Sequence, residues 1–406
     1  MRFSRYKAFR FLRDVLTLSF LSFGGPYAHI SLMLDLFVRR RKYLTKEEFL
    51  EINALCSALP GPSSTQTVAA IGYQIGGVSL AATSLLIWVL PASILMTLIA
   101  LIYVHVERLN WDLSFLQFLS PIATGFIAVA AIRLGKGNWK TPLAVIITVL
   151  VATANVWFRS PYLIPFSLLL SGFISFTFSR ELENTEKIVN LKISWRYLFA
   201  WAGLFVLLAL LGNLLGERSL LILQNNYQYG SLVFGGGQVL IPIMFEHFVH
   251  FKHYVSETEF LTGYGIAQGV PGPVFSFSSF ISGVSLYNET QSNWWLIIGG
   301  LAGMIGIFAP GIFFILFTFP IWNQIKRSRG VAKSLLGLNA AALGLIISAF
   351  LIFCKSIVFQ GDQTNIFLNC AIVVAVVVAQ LFLSMASHYI VALGILAGIL
   401  NMVLIS

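Results

Sequence analysis

The sequence predicts an all-α integral membrane protein built from two inverted-topology repeats with broken or re-entrant helices, in about 13 membrane segments. Three observations predict this fold: an apolar composition, an internal repeat, and a Gly-Gly and a Pro-Gly-Pro motif in each copy of the repeat. Of 406 residues, 57% are hydrophobic and 10% are charged, whereas a soluble domain carries roughly 25% charged residues. We therefore expect most of the chain to lie in lipid.

Apolar stretches recur along the chain, and about 20 such residues span a bilayer. Examples are residues 80–104, 143–156, 197–215, 296–320 and 390–405. The pattern continues to Ser406, so we expect no cleaved signal peptide followed by a soluble region. The formal net charge is +10, but the Lys and Arg residues lie in short loops. This placement indicates membrane topology and predicts no nucleic-acid partner.

Cysteine and histidine give no sign of a metal site. Cys56, Cys354 and Cys370 lie in or beside apolar segments and lack CxxC or metal-ligand spacing. An intramembrane enzyme would need acidic, His or Cys side chains clustered on facing helices, and the six histidines are scattered through the sequence. We therefore expect no cofactor, no metal and no enzyme.

The internal repeat appears when the chain is shifted by 211 residues against itself. Without a gap, Phe23-Gly24-Gly25 then aligns with Phe234-Gly235-Gly236, and Pro60-Gly61-Pro62 aligns with Pro271-Gly272-Pro273. Between Phe20 and Ser63, 15 of 44 positions are identical. An insertion near residues 287–292 then brings Pro91 opposite Pro310. Apolar composition alone does not align two rare motifs at equal spacing, so the repeat indicates duplication.

The basic residues predict that each Gly-Gly and Pro-Gly-Pro break is the tip of a re-entrant hairpin. Lys and Arg precede the first apolar run and also follow it at residues 39–46, so both ends favour the cytoplasmic side. The first hairpin turns at Gly24-Gly25-Pro26, the second spans about residues 46–74, and the later pair spans about 219–249 and 259–284. The hairpin topology places 21 Lys and Arg in the cytoplasm against 5 outside. If the hairpins instead cross fully, the split is 17 against 9.

Full crossings complete each half. They are expected near residues 79–106, 113–132, 141–158, 161–179 and 197–215, and then near 294–320, 334–353, 365–385 and 388–405. The odd number of crossings before the second copy inverts it, whichever hairpin topology holds. We predict a first repeat at 1–196 ending in a polar cytoplasmic linker, a linker helix at 197–216, and an inverted repeat at 217–406. The expected location is the plasma membrane, with a cytoplasmic N-terminus.

Several motifs resemble those of the chromate transporter family in its long-chain form. They are Phe23-Gly24-Gly25-Pro26 with Ala28-His29, Leu59-Pro60-Gly61-Pro62, Phe234-Gly235-Gly236-Gly237, and Gln268 with Pro271-Gly272-Pro273. The resemblance covers nearly the whole chain. It implies two homologous halves of opposed topology and export of chromate, a sulfate analogue, driven by the proton motive force. Tyr43 and Tyr254 stand where many members have Trp, and Ser57 stands where the second half has Gln268, which bears on substrate preference.

The broken helices suit an oxyanion, because the start of a helix presents free N–H groups and partial positive charge. Such starts at mid-membrane usually face the substrate of an inverted-repeat transporter. Alternatively, the Gly and Pro residues only allow close helix packing. The substrate-binding candidates are Gly24, Gly25, Pro26, His29, Pro60, Gly61, Pro62, Ser63, Ser64, Thr65, Gln66, Gly235, Gly236, Gly237, Gln238, Gln268, Pro271, Gly272, Pro273 and Ser276.

Ionisable groups within the membrane are the candidates for proton coupling. Asp35 aligns with Glu246, and each is either a proton carrier or the partner of a nearby basic loop. Glu48 aligns with Glu259, and both are expected to cap helices. The sequence thus predicts a proton-coupled exporter of chromate or a similar oxyanion, with an anion channel as the alternative within transport. It leaves the oligomeric state open.

Overall fold

The structure is a computed structural model that describes residues 5–109, 111–139, 141–179, 194–234, 239–322, 329–359 and 363–405. These residues form helices joined by short turns, and no strand occurs among them. The all-α prediction is therefore confirmed for this part of the chain. Most of the predicted cytoplasmic linker, residues 180–193, lies outside the described residues.

The first half contains seven α-helices and one π-helix within the described residues. They are α1 (Arg5–Leu21), α2 (Gly25–Met33), π1 (Leu34–Arg40), α3 (Lys46–Ala58), α4 (Ser63–Arg108), α5 (Leu119–Asn138), α6 (Pro142–Trp157) and α7 (Leu163–Phe178). A 3₁₀ turn, Ser114–Leu116, precedes α5. The predicted linker helix is α8 (Trp195–Leu215), most of whose side chains are exposed.

The second half repeats this order of elements. It contains α9 (Arg218–Leu232), α10 (Leu240–Phe245), π2 (Glu246–Phe251), α11 (Glu257–Gly269), α12 (Phe277–Thr290), α13 (Asn293–Thr318), α14 (Arg329–Phe359), α15 (Gln363–Leu381) and α16 (Ser387–Ile405). Short 3₁₀ turns, Val274–Ser276 and Phe319–Ile321, precede α12 and follow α13.

Helix boundaries confirm the breaks but not every predicted length. The chain leaves helical conformation before Gly25 and between α3 and α4, as predicted. Within α4, Gly76 and Gly77 are non-helical, which separates the arm that follows Pro62 from the crossing predicted at 79–106. By contrast, α14 begins at Arg329, ahead of the predicted residue 334.

Six helical segments are long and apolar enough to cross a membrane by length and composition. They are Ser63–Arg108, Ser114–Asn138, Trp195–Leu215, Asn293–Ile321, Gly330–Ile357 and Ser387–Leu404. Four shorter apolar helical segments lie between them, at Pro142–Trp157, Leu163–Phe178, Leu240–Phe251 and Ile366–Leu381. The chain is thus a multi-pass membrane protein, whereas the count of 13 segments and the inversion of the repeats stay predictions.

The described residues fall into two compact units, and each unit takes elements from both sequence halves. Unit 1 lies within Met1–Thr97, Arg180–Gly237 and Pro271–Lys333, and unit 2 within Leu98–Ser179, Gln238–Val270 and Ser334–Ser406. The two compact units therefore do not coincide with the two repeats of the sequence.

In unit 1, α13 packs closely against α9 and α12 through glycine. A Cβ atom at Gly303 would lie 2.5 Å from the Ser278 carbonyl oxygen, and one at Gly306 would lie 2.6 Å from the Asn226 Cβ. Ser278 Oγ donates a hydrogen bond of 3.1 Å to the Gly303 carbonyl across this contact. Small residues at such crossings replace the hydrophobic driving force that lipid does not provide.

In unit 2, α5 lies at the centre and packs against α11, α15 and α16. The buried core around it comprises Phe118, Leu119, Ile122, Phe126, Val376, Ile390 and Val391. Gly125 again permits the closest approach, because a Cβ there would lie 2.7 Å from the Val376 Cβ.

Local conformation follows the 211-residue register. Thr45 and Glu48 form a capping box at the start of α3, and Ser256 and Glu259 form the same box at the start of α11. The expectation that both glutamates cap helices is confirmed. Each π-helix is followed by a residue with positive φ, Lys42 at 53° and its counterpart His253 at 50°. The duplicated sequence therefore adopts duplicated local geometry.

Candidate functional site

The first break lies between α1 and α2 and depends on glycine. Gly24 has φ of 93° and Gly25 has φ of 79°, values that residues with a Cβ rarely adopt. Pro26 follows within the first turn of α2, where its missing N–H costs no hydrogen bond. The sequence therefore ends one helix and starts another here, as the motif predicts.

The Pro-Gly-Pro turns and the flanks of the Gly-Gly breaks form two matching pairs within unit 1. The Gly61 N–H donates to the Val233 carbonyl at 2.7 Å, and the Gly272 N–H donates to the Ser22 carbonyl at 2.8 Å. Donors and acceptors are each related by the shift of 211 residues. The Pro-Gly-Pro turn of each half thus bonds to the residue that precedes the Phe-Gly-Gly motif of the other half. Gly61 and Gly272 share φ values of 112° and 107°.

The surroundings of the two turns differ in polarity. Gln66, on the first turn of α4, donates from Nε2 to the Pro60 carbonyl at 2.6 Å and closes the first turn. Its register counterpart is Phe277, which is buried and has no amide to repeat this bond. At the second turn, a Cβ on Gly272 would lie 2.7 Å from the Ala92 Cβ. The second turn therefore packs against an apolar residue of α4, whereas the first turn is bonded by the amide of Gln66.

His29 joins the first break to the first Pro-Gly-Pro turn. Its Nδ1 lies 3.2 Å from Ser64 Oγ, and its ring stands edge-on to Trp88 with ring centroids 5.5 Å apart. The Ser22 carbonyl also lies near the imidazole. Because α2 carries His29 and α4 carries both Ser64 and Trp88, these contacts fix the start of one half-helix against the other.

Some of the buried polar atoms without hydrogen-bond partners belong to His29 or to residues close to it. Among the described residues, Ser22 Oγ, His29 Nε2, Thr65 Oγ1 and Trp88 Nε1 lack a partner, and each of these side chains is at most 1% exposed. A buried polar group without a partner costs on the order of 1–3 kcal/mol. Such a cluster is therefore expected only where something else satisfies it, such as water or a ligand.

The remaining candidates are distributed as follows. The described residues of unit 1 include Pro60, Pro62, Ser63, Pro271, Pro273 and Ser276, and Gln268 lies near the end of α11 in unit 2. Gly235, Gly236, Gly237 and Gln238 lie outside the described residues. Sequence analysis missed Ser22 and Trp88. The sequence did contain a sign of them: each of the two can form hydrogen bonds, whereas its counterpart in the repeat, Val233 or Ile307, is apolar.

The two carboxylates considered for proton coupling have different environments. Asp35, on π1, is partly exposed and forms an ion pair of 2.7 Å with Arg40. Glu246, at the start of π2, is buried, and Arg159 lies within electrostatic range of it. Exposed ion pairs contribute little to stability, and buried carboxylates are retained mainly for a function. Glu246 is therefore the stronger candidate.

A buried carboxylate that sequence analysis overlooked is Asp14, on α1. Arg41 approaches it with Nε and Nη2 at 2.8 and 2.9 Å, and the Tyr43 hydroxyl donates to it at 2.7 Å. The hydrogen bond to Asp14 raises the pKa of the Arg41 guanidinium, and burial together with the same carboxylate raises the pKa of Tyr43. The Phe11 ring stands edge-on to that of Tyr43, with 5.5 Å between ring centroids. After π1 the chain therefore returns beside α1.

Comparison with known proteins places these motifs in a family. The family profile described as Chromate transporter matches residues 9–176 and 220–400. A chromate transport protein of Cupriavidus metallidurans is 24% identical over 365 residues, covering 84% of this chain and 81% of the relative. An uncharacterised transporter of Methanocaldococcus jannaschii is 22% identical over 369 residues, covering 89% and 88%. No solved structure matches the chain.

A third relative bears on the duplication. An uncharacterised transporter of Bacillus subtilis is 42% identical over 57 residues, which make up 14% of this chain and 32% of the relative. The relative is therefore less than half as long as this chain. A length near that of one half is what a single copy of the repeat predicts.

Proposed function

Because this chain belongs to the chromate transporter family, we propose that it is a secondary active transporter that exports chromate, or a related tetrahedral oxyanion such as sulfate, in exchange for protons. In this proposal the protein resides in the plasma membrane with a cytoplasmic N-terminus and confers chromate resistance. Its partners are the oxyanion, protons and the lipid bilayer.

The observation that carries the proposal is the reciprocal pairing of the two Pro-Gly-Pro turns. The bonds from Gly61 to Val233 and from Gly272 to Ser22 hold helix starts beside breaks in the chain. The first N–H groups of α4, which begins at Ser63, have no acceptor within their own helix. Such groups bind anions with the help of the helix dipole. Inverted-repeat transporters use broken helices in this way at mid-membrane.

Proton coupling requires a group that changes protonation during the cycle. We assign this role first to Glu246, because a buried carboxylate responds strongly to changes in solvation. Asp35 is the weaker candidate, since Arg40 pairs with it at a partly exposed position. A loss of pH-gradient dependence in Glu246→Gln, with chromate flux retained, is the expected result. Unchanged coupling in this variant would exclude Glu246.

The proposed topology has re-entrant hairpins at the breaks. The contacts of Asp14 with Arg41 and Tyr43 support a return of the chain beside α1. In a cysteine-free background, single cysteines at Lys7 and Arg40 are expected to react with an impermeant reagent from the same side of the membrane. Reaction from opposite sides would show that the first segment crosses fully.

The function is tested by chromate uptake into inside-out vesicles, with the pH gradient imposed or collapsed and the membrane potential clamped. The expected result is uptake that requires the pH gradient and is reduced by competing sulfate. Uptake that ignores the pH gradient and follows voltage alone would indicate an anion channel. Vesicles that take up no chromate under either condition would contradict the proposed function.

A further inference from the structure

We propose that the oxyanion is held by a one-sided cluster of neutral donors, in which the Trp88 indole and the Ser22 hydroxyl act together with His29. The inference rests on the proposed function and identifies where within unit 1 the anion binds. Neither Trp88 nor Ser22 belongs to the Gly-Pro motifs that the two halves share.

The first step is proximity. His29 contacts Ser64 at 3.2 Å and Trp88 at a ring separation of 5.5 Å. Ser22 belongs to the same cluster through its carbonyl, which lies near the His29 ring and accepts the Gly272 N–H at 2.8 Å. Side chains from α2 and α4 and the backbone of the break before α2 therefore meet at His29.

The second step is the supply of free donors. Among the described residues, Trp88 Nε1, Ser22 Oγ and His29 Nε2 have no hydrogen-bond partner, although all three side chains are buried. In the proposed tautomer, Ser64 donates its hydroxyl proton to His29 Nδ1, so that the neutral imidazole carries its own proton on Nε2. The cluster then presents an indole N–H, an imidazole N–H and a hydroxyl.

The third step is the comparison with the other half. Ser22, His29 and Ser64 correspond to Val233, Leu240 and Phe275, and the alignment of Pro91 with Pro310 places Trp88 opposite Ile307. All four counterparts are buried apolar residues. Because Gly61 and Gly272 adopt the same turn on both sides, the fold itself does not require polar side chains here. Polar groups that the fold does not need indicate a ligand.

The chemistry of the donors selects the class of anion. None of the four side chains is a carboxylate, and the acceptors among them are the two serine hydroxyls and His29 Nδ1, which the Ser64 hydroxyl already occupies. A fully deprotonated tetrahedral dianion, such as chromate or sulfate, accepts from every donor. Monohydrogen phosphate carries a proton that needs an acceptor, and a buried polar group without a partner is costly. The cluster is therefore expected to favour sulfate over phosphate as a competitor of chromate.

The test measures the KM for chromate uptake into inside-out vesicles that contain the full-length protein. Trp88→Phe keeps the aromatic ring beside His29 and removes the N–H, and Ser22→Ala removes the hydroxyl. Each is expected to raise the KM about tenfold or more, the factor that corresponds to one hydrogen bond to a charged group. Ser22→Thr keeps the hydroxyl and is expected to raise the KM less than Ser22→Ala does.

Two matched controls separate loss of a donor from general damage. Ser19→Ala removes a buried hydroxyl on α1 that already bonds to the Leu16 carbonyl, and Trp294→Phe alters an exposed tryptophan on α13. Both are expected to keep the wild-type KM. Thermal unfolding of each variant in detergent reports folding, and if Ser22→Ala does not fold, Trp88→Phe decides the outcome.

The possible failures differ. If the wild-type vesicles take up no chromate, the proposed function fails. If wild-type uptake is normal but Trp88→Phe and Ser22→Ala keep the wild-type KM, the cluster does not hold the anion and the inference is overturned. Competition by phosphate equal to that by sulfate would overturn the assignment of the anion class.

Discussion

The two Pro-Gly-Pro turns have the same backbone and different neighbours. Gly61 and Gly272 share positive φ values and donate to equivalent carbonyls, of Val233 and Ser22. Around the first break the side chains are Ser22 and His29, while the second half has Val233 and Leu240 at the same positions. The backbone of the turn is therefore the same in both halves, while the side chains around it differ.

Comparing the two halves separates what the backbone of the turn requires from what the polar side chains near it are for. Glycine at the turn is needed in both halves, because the backbone there takes conformations that a Cβ disfavours. Ser22 and His29 have the apolar counterparts Val233 and Leu240, so these two polar side chains are not needed to build the turn. The comparison thus shows why glycine recurs at both turns, and it supports the proposal that Ser22 and His29 contact the ligand.

The largest expected effect comes from giving the first half the residues of the second. Ser22→Val combined with His29→Leu is expected to keep the fold, because Val233 and Leu240 already occupy the equivalent positions. Chromate uptake is expected to fall by about 100-fold or more in kcat/KM, since two donors to the anion are lost. Uptake by inside-out vesicles measures the loss, and detergent-solubilised protein reports folding by thermal unfolding.

The matched control for this exchange is Val233→Ala in the second half. It shortens a side chain at the counterpart of Ser22 and removes no donor. Uptake is expected to stay within about twofold of wild type, because the cost is one of packing alone. Equal losses of uptake in the control and in the double variant would contradict a one-sided site.

A smaller effect on stability is expected from alanine at the turn glycines, and it should be unequal. In Gly272→Ala the new Cβ meets the Ala92 Cβ on a helix, which cannot move aside. In Gly61→Ala it meets Gln66 Nε2, which can rotate away at the loss of its bond to Pro60. We expect losses of about 3 and 2 kcal/mol, respectively, in free energy of unfolding.

Two further variants isolate the causes of this inequality. Gly25 also has positive φ, but a Cβ added there would meet no atom within 4 Å, so Gly25→Ala reports the backbone cost alone, about 1 kcal/mol. Adding Ala92→Gly to Gly272→Ala is expected to recover part of the loss, because the clashing methyl group is gone. No recovery would show that the clash is not the cause.

The smallest predicted effect concerns Asp14, whose counterpart is Asn225. Asp14→Asn leaves Arg41 beside a neutral amide and is expected to lower the midpoint of thermal unfolding by a few degrees. Asp35→Asn breaks the partly exposed pair with Arg40 and serves as the control, with a smaller shift expected. A larger shift in Asp35→Asn than in Asp14→Asn would contradict the importance of the buried pair.

Several features could be predicted from the sequence because they depend on local chemistry. Glycine and proline have backbone preferences that act wherever they occur, so Gly24, Gly25 and the two Pro-Gly-Pro motifs marked the breaks. Thr45 with Glu48 and Ser256 with Glu259 marked helix starts for the same reason. The 211-residue register identified the duplication without any coordinates.

Only the tertiary structure decided which of these local features meet. The bonds from Gly61 to Val233 and from Gly272 to Ser22 join residues about 170 and 250 positions apart, and no pattern in the sequence gives such a pairing. Trp88 lies within an apolar helix, so the sequence alone suggests an ordinary packing residue. In the structure its indole N–H is buried beside His29 without a hydrogen-bond partner. Local preference acts along the chain, whereas a binding cluster depends on which distant side chains share one buried place.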